Sequence, residues 1–256
     1  MSHHPCSLTS VRGAVLLTLL TWPLGVAAAD LDTAPRVRAA RQHLGQTPQQ
    51  LFQAKGLDYP PAQLYLRAFK HESQLELWAG PAQQPLVLVK TYPICARSGE
   101  LGPKRQRGDL QVPEGFYVID RFNPTSTYHL SLRVSYPNAL DRALKTARDP
   151  GGDIYIHGSC VTIGCLPLED GPIEELFVIL LDHKAATGRA VPVHIFPTRM
   201  DETGMARLQQ LADQGSPYQP FWLDLQPAYT LFEKTRRVPS TRPDLVGKKY
   251  RVRAGP

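Results

Sequence analysis

From Gln63 onward apolar residues recur at every second position, the mark of short strands with two unlike faces. Leu64, Leu66 and Ala68 alternate with Tyr65, Arg67 and Phe69, and Leu75 and Leu77 resume the pattern after His71-Glu72-Ser73. Further runs at 86–90, 116–119, 128–134, 154–157 and 191–196, with turn residues between them, predict a β-meander and additional strands. Two stretches switch to helical period. Residues 138–147 place Leu140, Ala143, Leu144 and Ala147 on one face, and 172–186 place Ile173, Leu176, Phe177, Leu180 and Leu181 on another. Asp170 or Gly171 would cap the second helix, with Pro172 and Glu174-Glu175 in its first turn. Before the strands, 35–44 and 48–54 read as polar helices ended by Tyr59-Pro60-Pro61; after them, 202–213 reads as a helix followed by a Pro- and Arg-rich tail. From Lys234 that tail is expected to be draped over the body or partly disordered. The expectation is a mainly β, α+β fold: a β-rich domain at 61–200, a helical extension at 30–60 and a helical, basic extension at 201–256.

Composition changes this picture at the N-terminus. Arg12, the apolar run 13–26 and Ala27-Ala28-Ala29 read as a secretory signal peptide spanning 1–29. The run is shorter than the ~20 residues of a membrane span and contains Pro23, which disfavours an uncleaved anchor. No later stretch is apolar enough to cross a bilayer, so the mature chain is expected outside the cytoplasm, in a periplasm. Removing 1–29 takes Arg12 and no acid, which lowers the net charge from +6 to +5. Export makes nucleic acid an improbable partner, and the mild positive balance suits an anionic one such as cell wall. Cys6 would leave with the signal peptide. The remaining Cys95, Cys160 and Cys165 are an odd number, so at least one thiol stays unpaired in an oxidising compartment.

The chemistry concentrates in Asp153-Ile-Tyr-Ile-His157-Gly158-Ser159-Cys160-Val-Thr162-Ile-Gly164-Cys165, where an apolar strand ends at His157 and Gly164-Cys165 follows before a helix. A free thiol is only a few per cent ionised at pH 7, so a nucleophilic cysteine needs an imidazole or a helix N-terminus beside it. The pattern H-G-x-C-x-T-x-G-C resembles the signature of the YkuD L,D-transpeptidase family, most nearly its YafK-type branch. Lys90-Thr91-Tyr92-Pro93-Ile94, Gly102-Pro103-Lys104, Pro113-Glu114-Gly115-Phe116-Tyr117, Ser135-Tyr136-Pro137-Asn138 and Asp149-Pro150-Gly151-Gly152-Asp153 extend the resemblance over about 60–200.

The resemblance implies a β-rich catalytic domain that attacks the diaminopimelate carbonyl of peptidoglycan stem peptides through a cysteine thioester, with no cofactor or metal. Position by position it implies Cys165 as nucleophile, His157 as base, Thr162 as support for the loop, and backbone groups of Gly164 and Cys165 as oxyanion donors. Three departures stand out: a gap of only eight residues from His157 to Cys165, as in the YafK-like branch; Pro167 where an Arg is common; and the extra Cys160. Through the resemblance to that branch they imply its other activity, hydrolytic release of a wall-bound lipoprotein or similar amine, over 3→3 cross-linking. Cys160 has three possible states: paired with Cys95, paired with Cys165, or free. The first is favoured because it leaves Cys165 as the odd thiol. A different class of reading makes His157, Cys160, Cys165 and either Cys95 or His183 a structural zinc centre, or the chain a silent wall-binding module. Arg142 is a candidate clamp for a substrate carboxylate, with a solvated helix charge as the plain alternative. Lys104, Arg105 and Arg107 read as a solvated basic loop, and His129 and Tyr136 as residues that could line a cleft. Oligomeric state is not legible.

Overall fold

The alternation at 63–69 becomes strand β1 (Gln63–Phe69), antiparallel to β2 (Gln74–Gly80) and parallel to β8 (Val191–Phe196). The computed structural model describes Met1 and residues 31–255, so the signal-peptide reading, Cys6 included, lies outside the described residues. With β3 (Val87–Pro93), β4 (Gly115–Asn123), β5 (Ser131–Val134), β6 (Tyr155–His157) and β7 (Leu166–Pro167) the strands form one mixed sheet, ordered β3-β2-β1-β8-β4-β5-β6-β7. The fold is α+β, as the pattern predicts. The run at 128–134 is a strand only from Ser131; Tyr128 and His129 lie in the preceding loop, His129 at φ 65°.

On one face of the sheet, Leu64, Leu66, Ala68, Leu75, Leu77, Val193 and Ile195 pack in a core with helix α4 (Asp170–Thr187). The predicted stripe of α4, Ile173, Leu176, Phe177, Leu180 and Leu181, is buried there. Val178 and Ile179 on its other sides are buried too, because α1 (Pro35–Leu44) and α2 (Thr47–Gln53) cover them with Val37, Ala40 and Phe52. Arg41 joins the layers by ion pairs to Asp182 and Asp32, and the Tyr59 hydroxyl donates to Asp182 at 2.5 Å.

Strand alternation leaves Tyr65, Arg67 and Phe69 on the opposite face, and these are fully buried as well. Their cover is the C-terminal segment, and the tail from Lys234 is an ordered hairpin draped on the body through Tyr250 and Val252, the first of its two expected states. Helices α5 (Glu202–Asp213) and α6 (Gln219–Thr235) precede a hairpin of β9 (Ser240–Asp244) and β10 (Lys249–Arg253). Phe221, Trp222, Leu225, Ala228, Tyr229 and Phe232 recur at helical spacing along α6, a period masked in the sequence by Pro227 in mid-helix. Proline removes a backbone bond there, and the burial of six large or apolar side chains outweighs that loss. The Arg67 guanidinium pairs with Glu76 at 2.7 Å and Glu233 at 2.6 Å and lies 4.5 Å from the Phe232 ring centre. A buried charge is tolerable only with such partners.

Helix α3 (Ala139–Leu144) is shorter than the predicted 138–147, and Asn138 closes a reciprocal capping box with Asp141.

Candidate active site

Parallel pairing of β6 with β7 sets Ile156 against Leu166 and His157 against Pro167. Ile156 and Leu166 belong to the core beneath α4. Extending this register by one residue brings Cys165 beside Tyr155, and residues 155 and 157 share the face opposite Ile156. Cys165 and His157 thus share one face at the end of the sheet, about two residues apart along paired strands.

The loop between them is tightly specified. At Gly158 any Cβ would meet Asp170 Oδ1 at 2.6 Å, so only glycine fits. Ser159 N–H donates to Asp170 Oδ1 at 3.0 Å. Asp170 therefore anchors the loop instead of capping α4, whose N-cap position is Glu169 without a side-chain cap. Gly164 has φ 137°, a conformation that excludes other residues at little cost to glycine. Thr162 Oγ1 accepts from Gly164 N–H at 3.1 Å and Cys165 N–H at 2.8 Å, and donates to Cys165 O at 2.9 Å. Thr162 thus organises the nucleophile turn. The two amides expected to form the oxyanion hole are occupied by its hydroxyl in this arrangement, and they become available to a substrate oxygen only if that hydroxyl turns away.

Cys95 and Cys160 form a disulfide with Cα atoms 5.4 Å apart, which leaves Cys165 free and partly exposed. The favoured pairing is the one found, and it takes two ligands from the zinc reading. His183, the alternative fourth ligand, has its Nδ1 2.8 Å from Pro61 O on the far part of α4, and among the described residues no cluster of His, Cys, Asp and Glu could hold a metal.

His157 is buried, with Nδ1 2.6 Å from Gly158 O and its ring 4.8 Å from that of Tyr128. A carbonyl can only accept, so Nδ1 carries the proton and Nε2 keeps its lone pair. Burial pushes the His157 pKa down, against a smaller opposing effect of that carbonyl. Burial also pushes the Cys165 thiol up; Sγ donates to Asp153 O at 3.6 Å and makes no hydrogen bond to His157 among the described residues. Both directions favour a neutral thiol and a neutral imidazole over a thiolate–imidazolium pair. The expected consequence is that iodoacetamide labels Cys165 slowly at pH 7, with a rate that climbs through a midpoint above the ordinary thiol value of about 8.5. Mass spectrometry of the labelled protein across pH checks this, and a midpoint near 6 would mean an ion pair instead.

A cavity of about 140 Å³ opens beside Cys165, bounded by Lys70, His71, Ile94, Arg97, Glu100 and Val112 among others. Its cations differ in kind. All three Lys70 hydrogens are engaged, by Gly102 O at 2.7 Å, Val112 O at 3.0 Å and Glu114 Oε1 at 2.9 Å. Arg97 is exposed and uses one N–H, toward His71 O at 3.2 Å. Arg142 is not at this cavity: it is exposed on α3 and turns back to Pro137 O, which matches the solvated-charge alternative. Lys104 and Arg105 are buried, contrary to the solvated-loop expectation, because Asp109 accepts from Lys104 at 2.6 Å and Arg105 lies over the Phe221 ring. Of these three cations only Arg107 is exposed, paired with Asp149 at 2.5 Å. His129 Nε2 pairs with Glu174 at 2.8 Å and the Tyr136 hydroxyl donates to Pro150 O at 2.8 Å, so both hold structure. Arg97, Tyr128 and Asp170 are the site residues that the sequence did not single out for these places. The Asp170 carboxylate eleven residues beyond Ser159 was legible only as a helix cap.

The L,D-transpeptidase catalytic domain (YkuD) matches residues 72–195. The Escherichia coli (strain K12) protein YafK, which carries an L,D-transpeptidase name, is 32% identical over 233 residues, covering 89% of this chain and 85% of its own length. Among solved structures, the helical cell shape determining protein Pgp2 of Campylobacter jejuni aligns at TM-score 0.42 and 16% identity over 76% of this chain and 79% of its own. Bd1075 of Bdellovibrio bacteriovorus aligns at TM-score 0.39 and 19% identity over 67% and 63%. With a domain match that takes in both His157 and Cys165, and a relative alike over most of both lengths, the chain belongs to the YkuD L,D-transpeptidase family.

Proposed function

We propose that this chain is an exported, periplasmic cysteine amidase that cleaves amides at the diaminopimelate carbonyl of peptidoglycan stems and thereby releases a covalently bound lipoprotein. The family implies an enzyme and a peptidoglycan substrate. The observation that carries the finer reading is the free thiol of Cys165 at the cavity, on a turn whose neighbouring His157 keeps Nε2 basic. Cys165 Sγ attacks the carbonyl carbon while its proton passes to His157 Nε2. The tetrahedral intermediate collapses to a thioester, and the departing amine takes the proton from the imidazolium. Water, deprotonated by His157, then attacks the thioester; the products are a stem carboxylate and the restored thiol. The exposed guanidinium of Arg97 at the cavity rim suits a stem peptide rich in carboxylates.

The test is incubation of residues 30–256, which hold every described element of the fold, with sacculi that carry bound lipoprotein, followed by mass spectrometry of the products. Free lipoprotein and a new diaminopimelate carboxylate support the amidase. New diaminopimelate–diaminopimelate dimers would make the acceptor an amine and the enzyme a cross-linking transpeptidase.

A further inference from the structure

The β9–β10 hairpin is fastened at its base and uncovered at its tip. Tyr250 is buried, its ring 4.5 Å from that of Phe116, and its hydroxyl accepts from Asn138 Nδ2 at 2.8 Å. Val252 packs on the cluster that α6 contributes to. Beyond this anchor the turn carries Leu245, 52% exposed, and Val246, 97% exposed and the barest large apolar side chain in 31–255. The turn does not require either of them. It closes through Asp244 Oδ1, which accepts from Gly247 N–H at 3.2 Å, and a β-branched residue is a poor turn former. Around the tip, residues 240–255 hold Arg242, Lys248, Lys249, Arg251 and Arg253 against one acid, Asp244. Asp244 pairs with Arg251 at 2.8 Å, and Asp224 on α6 lies within the field of Lys249, so the hairpin keeps a positive excess.

We propose that this hairpin docks on an anionic phospholipid bilayer surface, with Leu245 and Val246 entering the headgroup boundary and the cations resting on phosphates. Charge complementarity selects an anionic surface, and the apolar pair selects lipid. A hydrated wall polymer would engage the cations but leave Leu245 and Val246 without a role. A protein interface requires far more apolar area than two aliphatic side chains supply. One weak apolar anchor becomes useful when paired with a basic patch. The proposal is independent of the nucleophile assignment, since no residue of the hairpin lines the cavity at Cys165.

The experiment is co-sedimentation of residues 30–256, free of the apolar run at 13–26, with phosphatidylcholine vesicles prepared with and without phosphatidylglycerol. The expected result is salt-sensitive binding to the anionic vesicles only, weakened roughly tenfold or more in Val246→Asp and in Lys248→Glu/Lys249→Glu. Unchanged thermal melting shows that these exposed-tip variants still fold. The tryptophan of Val246→Trp should shift its emission to the blue when anionic vesicles are added. Binding that Val246→Asp leaves unaltered, binding to neither vesicle, retention by lipid-free sacculi alone, or a Val246-dependent dimer in light scattering would each overturn the proposal.

Discussion

Cys165→Ala is expected to abolish release of wall-bound lipoprotein, lowering the rate at least about a thousandfold, while leaving the fold intact. The thiol is partly exposed and its contact to Asp153 O is long, so little packing is lost. Among the described residues Cys165 is the one free thiol, since Cys95 and Cys160 are tied to each other. His157→Gln should retain the thiol and lose the base, slowing turnover by about 10²–10⁴. The two variants separate by alkylation. Iodoacetamide still modifies Cys165 in His157→Gln but finds no thiol among residues 31–255 of Cys165→Ala. Because His157 holds its proton less tightly than an ordinary imidazole, its loss as a base on acidification should fall below the usual value near 6.5. Rates of release from sacculi, read by mass spectrometry across pH, check both points. Full activity of Cys165→Ala would remove the cysteine mechanism.

The strands and α4 were legible because their hydrophobic periods are regular and local. Residues 157–165 stood out because their histidine, glycines and thiol resemble the YkuD signature. Of the C-terminal cover, α5 was legible at 202–213 and α6 was not, since Pro227 interrupts its period and its purpose appears only once Tyr65, Arg67 and Phe69 are seen to need a second layer. Lys104 and Arg105 look solvated in sequence; their burial depends on Asp109 and Phe221, and Phe221 lies more than a hundred residues away. The state of the Gly164 and Cys165 amides was likewise out of reach. Motif order says which groups are near, whereas the Thr162 hydroxyl decides which are free.

Cys95→Ser/Cys160→Ser is expected to lose both stability and rate. The bridge closes a sequence separation of 65, and the loop-entropy argument assigns such a closure about 4 kcal/mol. For a chain of this size that lowers Tm by roughly 10 °C, which calorimetry of parent and double variant measures. The effect on rate has a local cause. Cys160 sits between His157 and Cys165, and Cys95 lies next to Ile94 in the cavity wall, so the bridge holds the nucleophile loop against the surface that receives substrate. Other ties remain, namely Cys95 N–H to Pro167 O at 3.0 Å and Ser159 N–H to Asp170, so the loop should loosen without unfolding. Turnover is therefore expected to fall about tenfold at temperatures well below the lowered Tm. The double variant is the informative one, because either single variant leaves a thiol within reach of Cys165 and invites a wrong bridge. Equal turnover in parent and double variant at such temperatures would reduce the disulfide to a stabilising staple with no part in placing Cys165.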